Sequence, residues 1–528
     1  MSRIAPANAS GYFGLFPART FRLATGDGAD SPTIASARWY FRDETIAVAT
    51  DAHEVAGFTP NMRTFDDVRA WALAWSPAAS FEYPPLIWVA SPEVLRDARI
   101  GNEATTLLTA DGTLPYRLVP KIAMNRSFFD LSSVAFMRQR PVTVRGTGAV
   151  DGFVVRSMWP EDFRVGPGAP PMRASPAAAT PAAALRNLMR EEPQGGARAS
   201  FAAWTLWQRP GARADWNGRA VLAFIVNGAQ GDDDEAHAGH FALVTGRIAA
   251  DGAIGDWLVN NFYSLDAESE KGIIAAPIPL DLYLADLNSG QNWYRPSSML
   301  VAVLNDARAA NLVQSALSRV YNQFYRHQLP YYHPTGNCTS FSIDTLRALG
   351  WNVPARGATS WTLASLGLPY FAVKHASLRQ ATTVFDYLTA DQTRLLPAVA
   401  GEEIFASLVT LLGRSVEKAA AGGILAQMLA EDIDALAFLR LPQFPSSRVF
   451  GDAPAVTLRE VQERMPKDPR DAQIIPLAPR PFPETLRDPD LLPRRLRPSD
   501  VALAVWGALL LIGVPVVIRR WWRRRARA

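Results

Sequence analysis

The sequence is poor in cysteine and histidine, and these shortages limit the disulfides and the metal sites that the protein can form. Its 528 residues include one cysteine, Cys338, and six histidines. A single cysteine excludes an internal disulfide, so packing alone must stabilise the fold in any redox compartment. His237 and His240 form the most closely spaced histidine pair, but residues three apart on a strand point to opposite faces. We therefore predict no metal site and no cofactor.

The sequence also lacks an excess of charge of either sign. Its 54 Lys and Arg residues nearly balance 50 Asp and Glu residues, and the net charge of +4 is concentrated at the C-terminus. This balance excludes the extended basic surface typical of nucleic-acid-binding proteins, so we expect no nucleic-acid partner. The first residues, Met1 to Pro6, contain no apolar segment, and we therefore expect no signal peptide.

One long uncharged apolar run is present near the C-terminus. Residues 501–518 contain no charge, and at about 1.5 Å per residue they are long enough to cross a bilayer as a helix. The run predicts a transmembrane helix over 500–519, followed by an Arg- and Trp-rich tail over 520–528. We accordingly expect a single-pass protein of a bacterial inner membrane, with the lipid bilayer as a partner of residues 501–518. Because arginines also precede the run, the side of the membrane that holds the globular part stays open.

The residues around the single cysteine favour a catalytic role for its thiol. Asn337 is a favourable N-cap residue, and the apolar residues between Cys338 and Gly350 predict a short helix that begins at the thiol. The unpaired N–H groups and the dipole at a helix start favour a thiolate. We therefore predict that Cys338 is a nucleophile. The alternative is a buried structural thiol, which is the usual role of a single cysteine.

A histidine and an asparagine complete the predicted catalytic site. His240 lies near the start of a predicted strand and would act as the general base for Cys338. Asn261, on the next predicted strand, would orient the imidazole, and its neighbour Asn260 is the alternative because adjacent strand residues point to opposite faces. His333 lies five residues before Cys338, in a turn where a structural role is the more common one.

These pieces follow an order known from one group of enzymes. Between residues 235 and 349 the sequence has Gly-His at 239–240, Asn-Phe at 261–262, a Tyr-rich helical segment near Tyr325 and Asn-Cys-Thr at 337–339. This stretch resembles the N-terminal catalytic domain of the Lnb-type lipoprotein intramolecular transacylases. That domain is similar to the circularly permuted NlpC-like and lecithin:retinol acyltransferase-like cysteine enzymes of papain fold. The resemblance implies a cysteine and histidine pair in which the histidine comes first in the chain.

The predicted fold class is α+β. A permuted papain-like (NlpC-like) domain would be joined to an N-terminal β-rich domain, a helical extension and one C-terminal transmembrane helix. The predicted boundaries are 1–165 for the β-rich accessory domain, 166–198 for a Pro/Ala/Gly-rich linker, 199–365 for the papain-like domain, 366–450 for the helical extension and 451–499 for a proline-rich spacer.

The expected function is thiol-dependent acyl transfer, or amide or ester hydrolysis, by a membrane-anchored enzyme. The anchor directs this expectation to a membrane-associated or cell-envelope substrate: a lipoprotein, a phospholipid or a peptidoglycan peptide. The alternative is a non-catalytic, membrane-tethered binding or scaffold protein whose papain-like unit has lost its chemistry. The reactivity of the thiol separates the two, because an activated thiolate reacts at mildly acidic pH, where an ordinary thiol hardly does.

Overall fold

The structure is a computed structural model of the chain. The residues it describes are 11–25, 34–121, 129–166, 173–174, 181–190, 199–213, 215–228, 238–265, 274–357, 361–413, 422–447, 459, 463 and 482–525.

The strands and helices are numbered in chain order. The strands are β1 Tyr12–Phe13, β2 Phe16–Pro17, β3 Phe21–Thr25, β4 Thr45–Ala49, β5 Ile87–Trp88, β6 Glu93–Ile100, β7 Thr106–Thr109, β8 Gly112–Leu118, β9 Val142–Ala149, β10 Gly152–Pro160, β11 Arg173–Ala174, β12 Ala202–Gln208, β13 Ala220–Asn227, β14 His240–Arg247, β15 Leu258–Asn260, β16 Pro277–Pro279, β17 Ser297–Leu304 and β18 Ile433–Leu441. The helices are α1 Ala35–Tyr40, α2 Thr64–Ala74, α3 Leu131–Arg138, α4 Pro181–Arg190, α5 Leu280–Ala285, α6 Arg308–Tyr325, α7 Cys338–Ala348, α8 Trp361–Lys374, α9 Leu378–Thr389, α10 Gln392–Leu395, α11 Pro397–Leu412, α12 Ile424–Asp432 and α13 Pro498–Arg525.

An eight-stranded sheet carries the candidate site. Its order is β11–β12–β18–β17–β13–β14–β15–β16, and all neighbouring pairs are antiparallel except β11 with β12. Every residue of β13 is buried, as expected for a continuous apolar run in a strand that is covered on both faces. Helices α6 and α11 pack on β13 and β14, and α7 packs on β14. These contacts bring the start of α7 to the sheet.

The N-terminal 165 residues are rich in β-structure. Strands β6 to β10 form a closed barrel in the order β10–β8–β7–β6–β9, and β3, β4 and β5 form a small antiparallel sheet. Strand β4 spans Thr45–Ala49 and pairs with both β3 and β5.

Buried ion pairs join the N-terminal region to the eight-stranded part. Arg145 of the barrel pairs with Asp281 of α5 at 2.7 Å, and both side chains are fully buried. Arg156 pairs with Asp286 at 2.7 Å, just after the same helix. Because a buried charge is tolerated only when it is paired and hydrogen-bonded, these contacts fix α5 against the barrel.

Two segments predicted as helical contain strands. Residues 301–304 belong to β17, and the helix of that region begins only at Arg308. Residues 433–441, in and beyond the helical region predicted over 402–439, form β18. Strand β18 lies between β12 and β17, so part of the predicted extension completes the eight-stranded sheet. A continuous apolar run is compatible with either a buried helix or a central strand, and sheet pairing decides between them.

Two segments predicted as linkers contain ordered structure. The described part of 166–198 includes helix α4, whose Leu185 and Leu188 are buried. In the predicted spacer, residues 482–499 lie against the globular part: Phe482 stacks on Tyr40, and Ser499 bonds to Asp386. Most of 451–481 lies outside the described residues.

The fold class needs one correction, at the C-terminus. Within the part of the chain that the structure describes, no helix combines the length and the apolar character needed to cross a bilayer. The predicted transmembrane helix over 501–518 is therefore wrong. The apolar run is part of the longer helix α13, which has Asp500 in its first turn and ends at Arg525. The first half of α13 also buries Ala502 and packs Trp506 against the protein.

Candidate active site

Cys338 is the first residue of α7, and local hydrogen bonds fix it there. The side chain of Asn337 accepts from the Ser340 backbone N–H at 2.8 Å, and the Asn337 N–H donates to Ser340 Oγ at 2.7 Å. This reciprocal capping box confirms the predicted N-cap. The helix ends at Ala348, and Gly350, two residues later, has a φ of +85°, in the left-handed region that favours glycine.

The Cys338 thiol is buried beside the start of β14. The residue is 4% exposed, and the backbone N–H of Phe241 lies close enough to the sulfur to lower the pKa of the thiol. Since His240 directly precedes Phe241, the strand that supplies the histidine also contacts the thiol. The two residues predicted as nucleophile and base are therefore the first residues of two packed elements, helix α7 and strand β14.

The environment of the thiol favours its neutral form. Burial raises the pKa of Cys338 above its ordinary value, and this effect outweighs the opposing effects of Phe241, Thr339 and Arg295. The helix start alone would favour a thiolate. The structure differs because desolvation disfavours the charged form more than Phe241, Thr339 and Arg295 together favour it.

His240 and Asn261 are hydrogen-bonded to each other. His240 Nε2 lies 2.6 Å from Asn261 Oδ1, and both residues are buried. Asn261 Nδ2 donates to the Ile274 carbonyl, which can only accept. This second bond fixes the orientation of the amide, so Oδ1 must face the imidazole and accept from Nε2–H. The neutral imidazole thus carries its proton on Nε2, and Nδ1 holds the lone pair that a general base needs.

The backbone around Asn261 is fixed by two tyrosines of α6. The Tyr321 hydroxyl donates to the Asn261 carbonyl at 2.9 Å, and the Tyr325 hydroxyl donates to the Ala275 carbonyl at 2.8 Å. The Asn261 N–H donates to the Ala276 carbonyl at 3.1 Å. The Asn-Phe and Tyr positions of the resemblance thus form one hydrogen-bonded unit.

Asn260, the alternative orienting residue, faces away from the imidazole. Its amide exchanges hydrogen bonds with the side chain of Gln314 on α6, at 3.1 and 3.2 Å. Gln314 also accepts from Thr245 at 2.6 Å. The period-two geometry of the strand therefore separates the two asparagines, although Asn261 lies just past the end of β15.

A row of polar side chains next to His240 was not foreseen from the sequence. Asn227 pairs with both His240 and Ser297 across three strands, and its Nδ2 donates to Ser297 Oγ at 2.7 Å. The Tyr283 hydroxyl donates to Asn227 Oδ1. Burial raises the pKa of Tyr283, and the neighbouring Cys338 adds to the rise. Tyr283 therefore stays protonated near the thiol and serves as a hydrogen-bond donor.

Arg295 places a buried positive charge near Cys338. Its guanidinium donates to Gln291 Oε1 at 2.9 and 2.7 Å and to the Gly228 carbonyl at 3.0 Å. Its charge lowers the pKa of Cys338 and of Tyr283, in opposition to burial. Arg295 is thus within electrostatic range of the sulfur and stabilises negative charge that develops there. No motif in the sequence identifies it.

His333 lies in the loop before α7, close to His240. The Tyr387 hydroxyl lies 3.0 Å from His333 Nδ1, and Asn337 Nδ2 donates to the His333 carbonyl at 2.7 Å. Burial lowers the pKa of His333 to about 4, and the proximity of His240 contributes to the fall. His333 is therefore a neutral residue that supports the loop carrying the thiol, in keeping with the structural role expected from its sequence context.

The structure describes only one of the two histidines that were considered as metal ligands. His237, the other half of the H-x-x-H pair, lies outside the described residues. Among the residues that are described, no group of three His, Cys, Asp or Glu side chains could hold a metal ion.

Comparisons with known proteins identify no relative. No protein-family model, curated protein or solved structure matches this chain. The chemical role of each residue is therefore inferred from its contacts.

Proposed function

We propose that the protein catalyses thiol-dependent acyl transfer, or amide or ester hydrolysis, through Cys338, His240 and Asn261. The observation that carries the proposal is the hydrogen bond from His240 Nε2 to Asn261 Oδ1, in which the amide orientation is fixed by Ile274. A structural histidine needs only a hydrogen-bond partner. Here the partner assigns the tautomer, and the thiol lies beside the residue that follows the histidine.

The resting site holds a neutral thiol and a neutral imidazole. As the Cys338 sulfur attacks a carbonyl carbon, His240 Nδ1 takes the thiol proton, and a tetrahedral intermediate forms with the charge on oxygen. The bond to the leaving group then breaks, and the imidazolium gives its proton to the leaving nitrogen or oxygen. The product is an acyl thioester on Cys338. Water, an alcohol or an amine then attacks the thioester, gives a proton to His240 and restores the free thiol as the new acyl product leaves.

The tetrahedral oxygen would be stabilised at the start of α7. The backbone N–H of Cys338 is among the first four of the helix, which have no partner within it. Together with the dipole of α7 and the charge of Arg295, this group favours negative charge next to the sulfur. Asn261 would keep the imidazole aligned during both proton transfers.

The candidate acyl donors are a lipoprotein, a phospholipid acyl chain and a peptidoglycan peptide. Of these, the lipoprotein is the one that the resemblance to the lipoprotein intramolecular transacylases implies. All three present a carbonyl that a thiol can attack, and all three leave an acyl thioester on Cys338 as the intermediate.

An acyl-type electrophile with mass-spectrometric readout tests the proposal. The wild-type protein should acquire one covalent adduct at Cys338, and Cys338→Ala should acquire none. His240→Ala should lose most of the labelling rate, because the thiol would lose its base; general bases typically contribute about 10²–10⁴-fold. Thermal unfolding of each variant shows whether the fold is kept. Equal labelling of wild type and His240→Ala would overturn the catalytic pair.

One observation favours a second candidate, a binding module without chemistry. The thiol is 4% exposed and its pKa is raised, which is typical of a structural cysteine. In that case Cys338→Ala would cost stability but leave ligand binding unchanged, and the electrophile would label the folded protein no faster than it labels a small thiol.

A further inference from the structure

Exposed large apolar side chains are concentrated in two segments of the chain. Among the described residues, sixteen large hydrophobic side chains are exposed, and eleven of them lie within 361–378 and 501–511. Isolated exposed apolar residues are normal, whereas a concentration in two neighbouring helices marks an interaction surface. The segments are helix α8 with the start of α9, and the first half of α13.

On α8 the exposed residues form one face. Leu363, Leu366, Tyr370 and Val373 recur at intervals of three and four residues, and each is at least 61% exposed. Ala364 and Leu368 point the other way and are buried against α9. Helix α8 is therefore apolar on its buried side and also presents a regular apolar face outward.

Helix α13 extends this surface. Ala502 and Trp506 pack in the cluster that holds the buried side of α8, and Trp506 Nε1 donates to the Ser365 carbonyl at 2.9 Å. Val501, Val505 and Leu509, spaced by four residues, are at least 50% exposed. Helices α8 and α13, which are joined by this hydrogen bond, thus both leave apolar side chains exposed.

The charges of these segments are mostly positive. Between residues 361 and 390 the only acidic residue is Asp386, which is fully buried, whereas Lys374 and Arg379 are exposed. Between 494 and 528 the sequence has nine arginines and only Asp500 as an acid. An apolar helix face with basic neighbours and with Trp and Tyr among its residues is complementary to an anionic lipid surface. A protein partner of ordinary mixed charge would not match this bias.

We propose that the outward faces of α8 and α13 dock on an anionic lipid surface. The contact is interfacial: the side chains insert among lipid headgroups and acyl chains, and neither helix needs to cross the bilayer. Binding combines burial of apolar area with attraction between arginines and lipid phosphates, so it should weaken as salt is added.

Helix α9, which packs on both α8 and α13, contacts the loop that precedes Cys338. Asp386 of α9 accepts from the Ser499 N–H and hydroxyl of α13, both at 2.9 Å, and from the Tyr332 hydroxyl at 3.1 Å. The next residue, Tyr387, contacts His333. Docking would therefore place the candidate active site near the lipid surface, although the docking proposal does not depend on catalysis.

Co-sedimentation of the full chain with vesicles tests the proposal. Wild-type protein should bind equimolar phosphatidylcholine–phosphatidylglycerol vesicles more tightly than pure phosphatidylcholine vesicles. The double variant Leu366→Glu/Val373→Glu should bind the mixed vesicles at least about tenfold more weakly, because it places two carboxylates on the inserting face. The matched control, Leu73→Glu/Leu131→Glu, changes two leucines that are 85% and 84% exposed on α2 and α3, and should bind like wild type.

Each other outcome overturns the proposal. Failure of the wild type to bind mixed vesicles would exclude a lipid partner. Equal weakening in the control would exclude this surface, and equal binding to both vesicle types would exclude the role of charge. Light scattering that shows a dimer in the wild type and a monomer in Leu366→Glu/Val373→Glu would assign the surface to a second copy. Because Cys338→Ala should bind vesicles normally, these results are independent of the labelling experiment.

Discussion

Two regions of this protein bury polar side chains, and the free-energy cost of that burial is compensated differently in each. Where the barrel meets α5, full charges are buried as pairs, such as Arg145 with Asp281. Around the start of β14, the side chains of the candidate site are buried with mostly neutral hydrogen-bond partners; these residues are Cys338, His240 and Asn261. A paired charge is held in one protonation state and one geometry, whereas a neutral thiol and imidazole keep a proton that can move. The first arrangement suits a rigid joint and the second suits chemistry.

The largest expected effect comes from breaking the buried ion pair between the barrel and α5. Asp281→Ala should lower the free energy of unfolding by about 3–5 kcal/mol, because the fully buried guanidinium of Arg145 would lose its carboxylate partner. Glu484→Ala, which breaks the exposed ion pair of Glu484 with Arg487, should cost less than about 1 kcal/mol. Urea unfolding of the three proteins measures both. A loss in Asp281→Ala no larger than in the control would show that the barrel and α5 do not depend on this pair.

A smaller effect should distinguish the two neighbouring asparagines. Asn261→Ala should slow covalent labelling of Cys338 by about 10–100-fold, since it removes a hydrogen bond of about 1–3 kcal/mol that orients His240. Asn260→Ala removes the partner of Gln314 instead, and should lower stability by a similar energy while labelling of the folded protein stays unchanged. Labelling rates and urea unfolding of the same two variants provide the comparison. Equal labelling rates in the two variants would exclude Asn261 as the orienting residue.

The smallest expected effect is a dependence of stability on alkaline pH. Burial raises the pKa of Cys338 in the folded protein, so above the ordinary thiol pKa of about 8.5 the unfolded chain loses its proton before the folded one does. The contribution of the thiol to stability should therefore be complete below that pH and decline as the pH rises through the folded-state pKa. Cys338→Ser should lack this decline. Urea midpoints of both proteins between neutral and alkaline pH measure it, and parallel curves would show that the thiol is not shifted.

The parts of the site that could be predicted from the sequence are the local ones. The capping of α7 by Asn337 depends on four consecutive residues, and the opposite directions of Asn260 and Asn261 follow from strand geometry. Tyr283 and Arg295 could not be found, because α5 and the chain before β17 reach the thiol only through sheet pairing and the barrel contact. The expectation of a thiolate was wrong for a related reason: the helix dipole is a local property, whereas burial depends on the whole fold.

The same limit applies to the fold. Strand β14 was predicted from the sequence around His240, and it begins at that residue. Strand β18 was not, because Ile433–Leu441 follows α12 without a break and its partners come from distant parts of the chain. The C-terminal apolar run was assigned by length and composition alone, and the packing of Trp506 on α8 could not be read from either.

Strand β18 has a consequence for the order of events during synthesis. The proposed nucleophile, base and orienting amide all precede residue 350, but the sheet that holds them has a gap between β12 and β17 until Ile433–Leu441 leaves the ribosome. Until then both of those strands have unpaired edges, which are templates for wrong association. The nascent chain therefore carries its reactive groups long before it can position them, and translation must continue about a hundred residues past the thiol, at ≈ 5–20 residues per second, before the site can form.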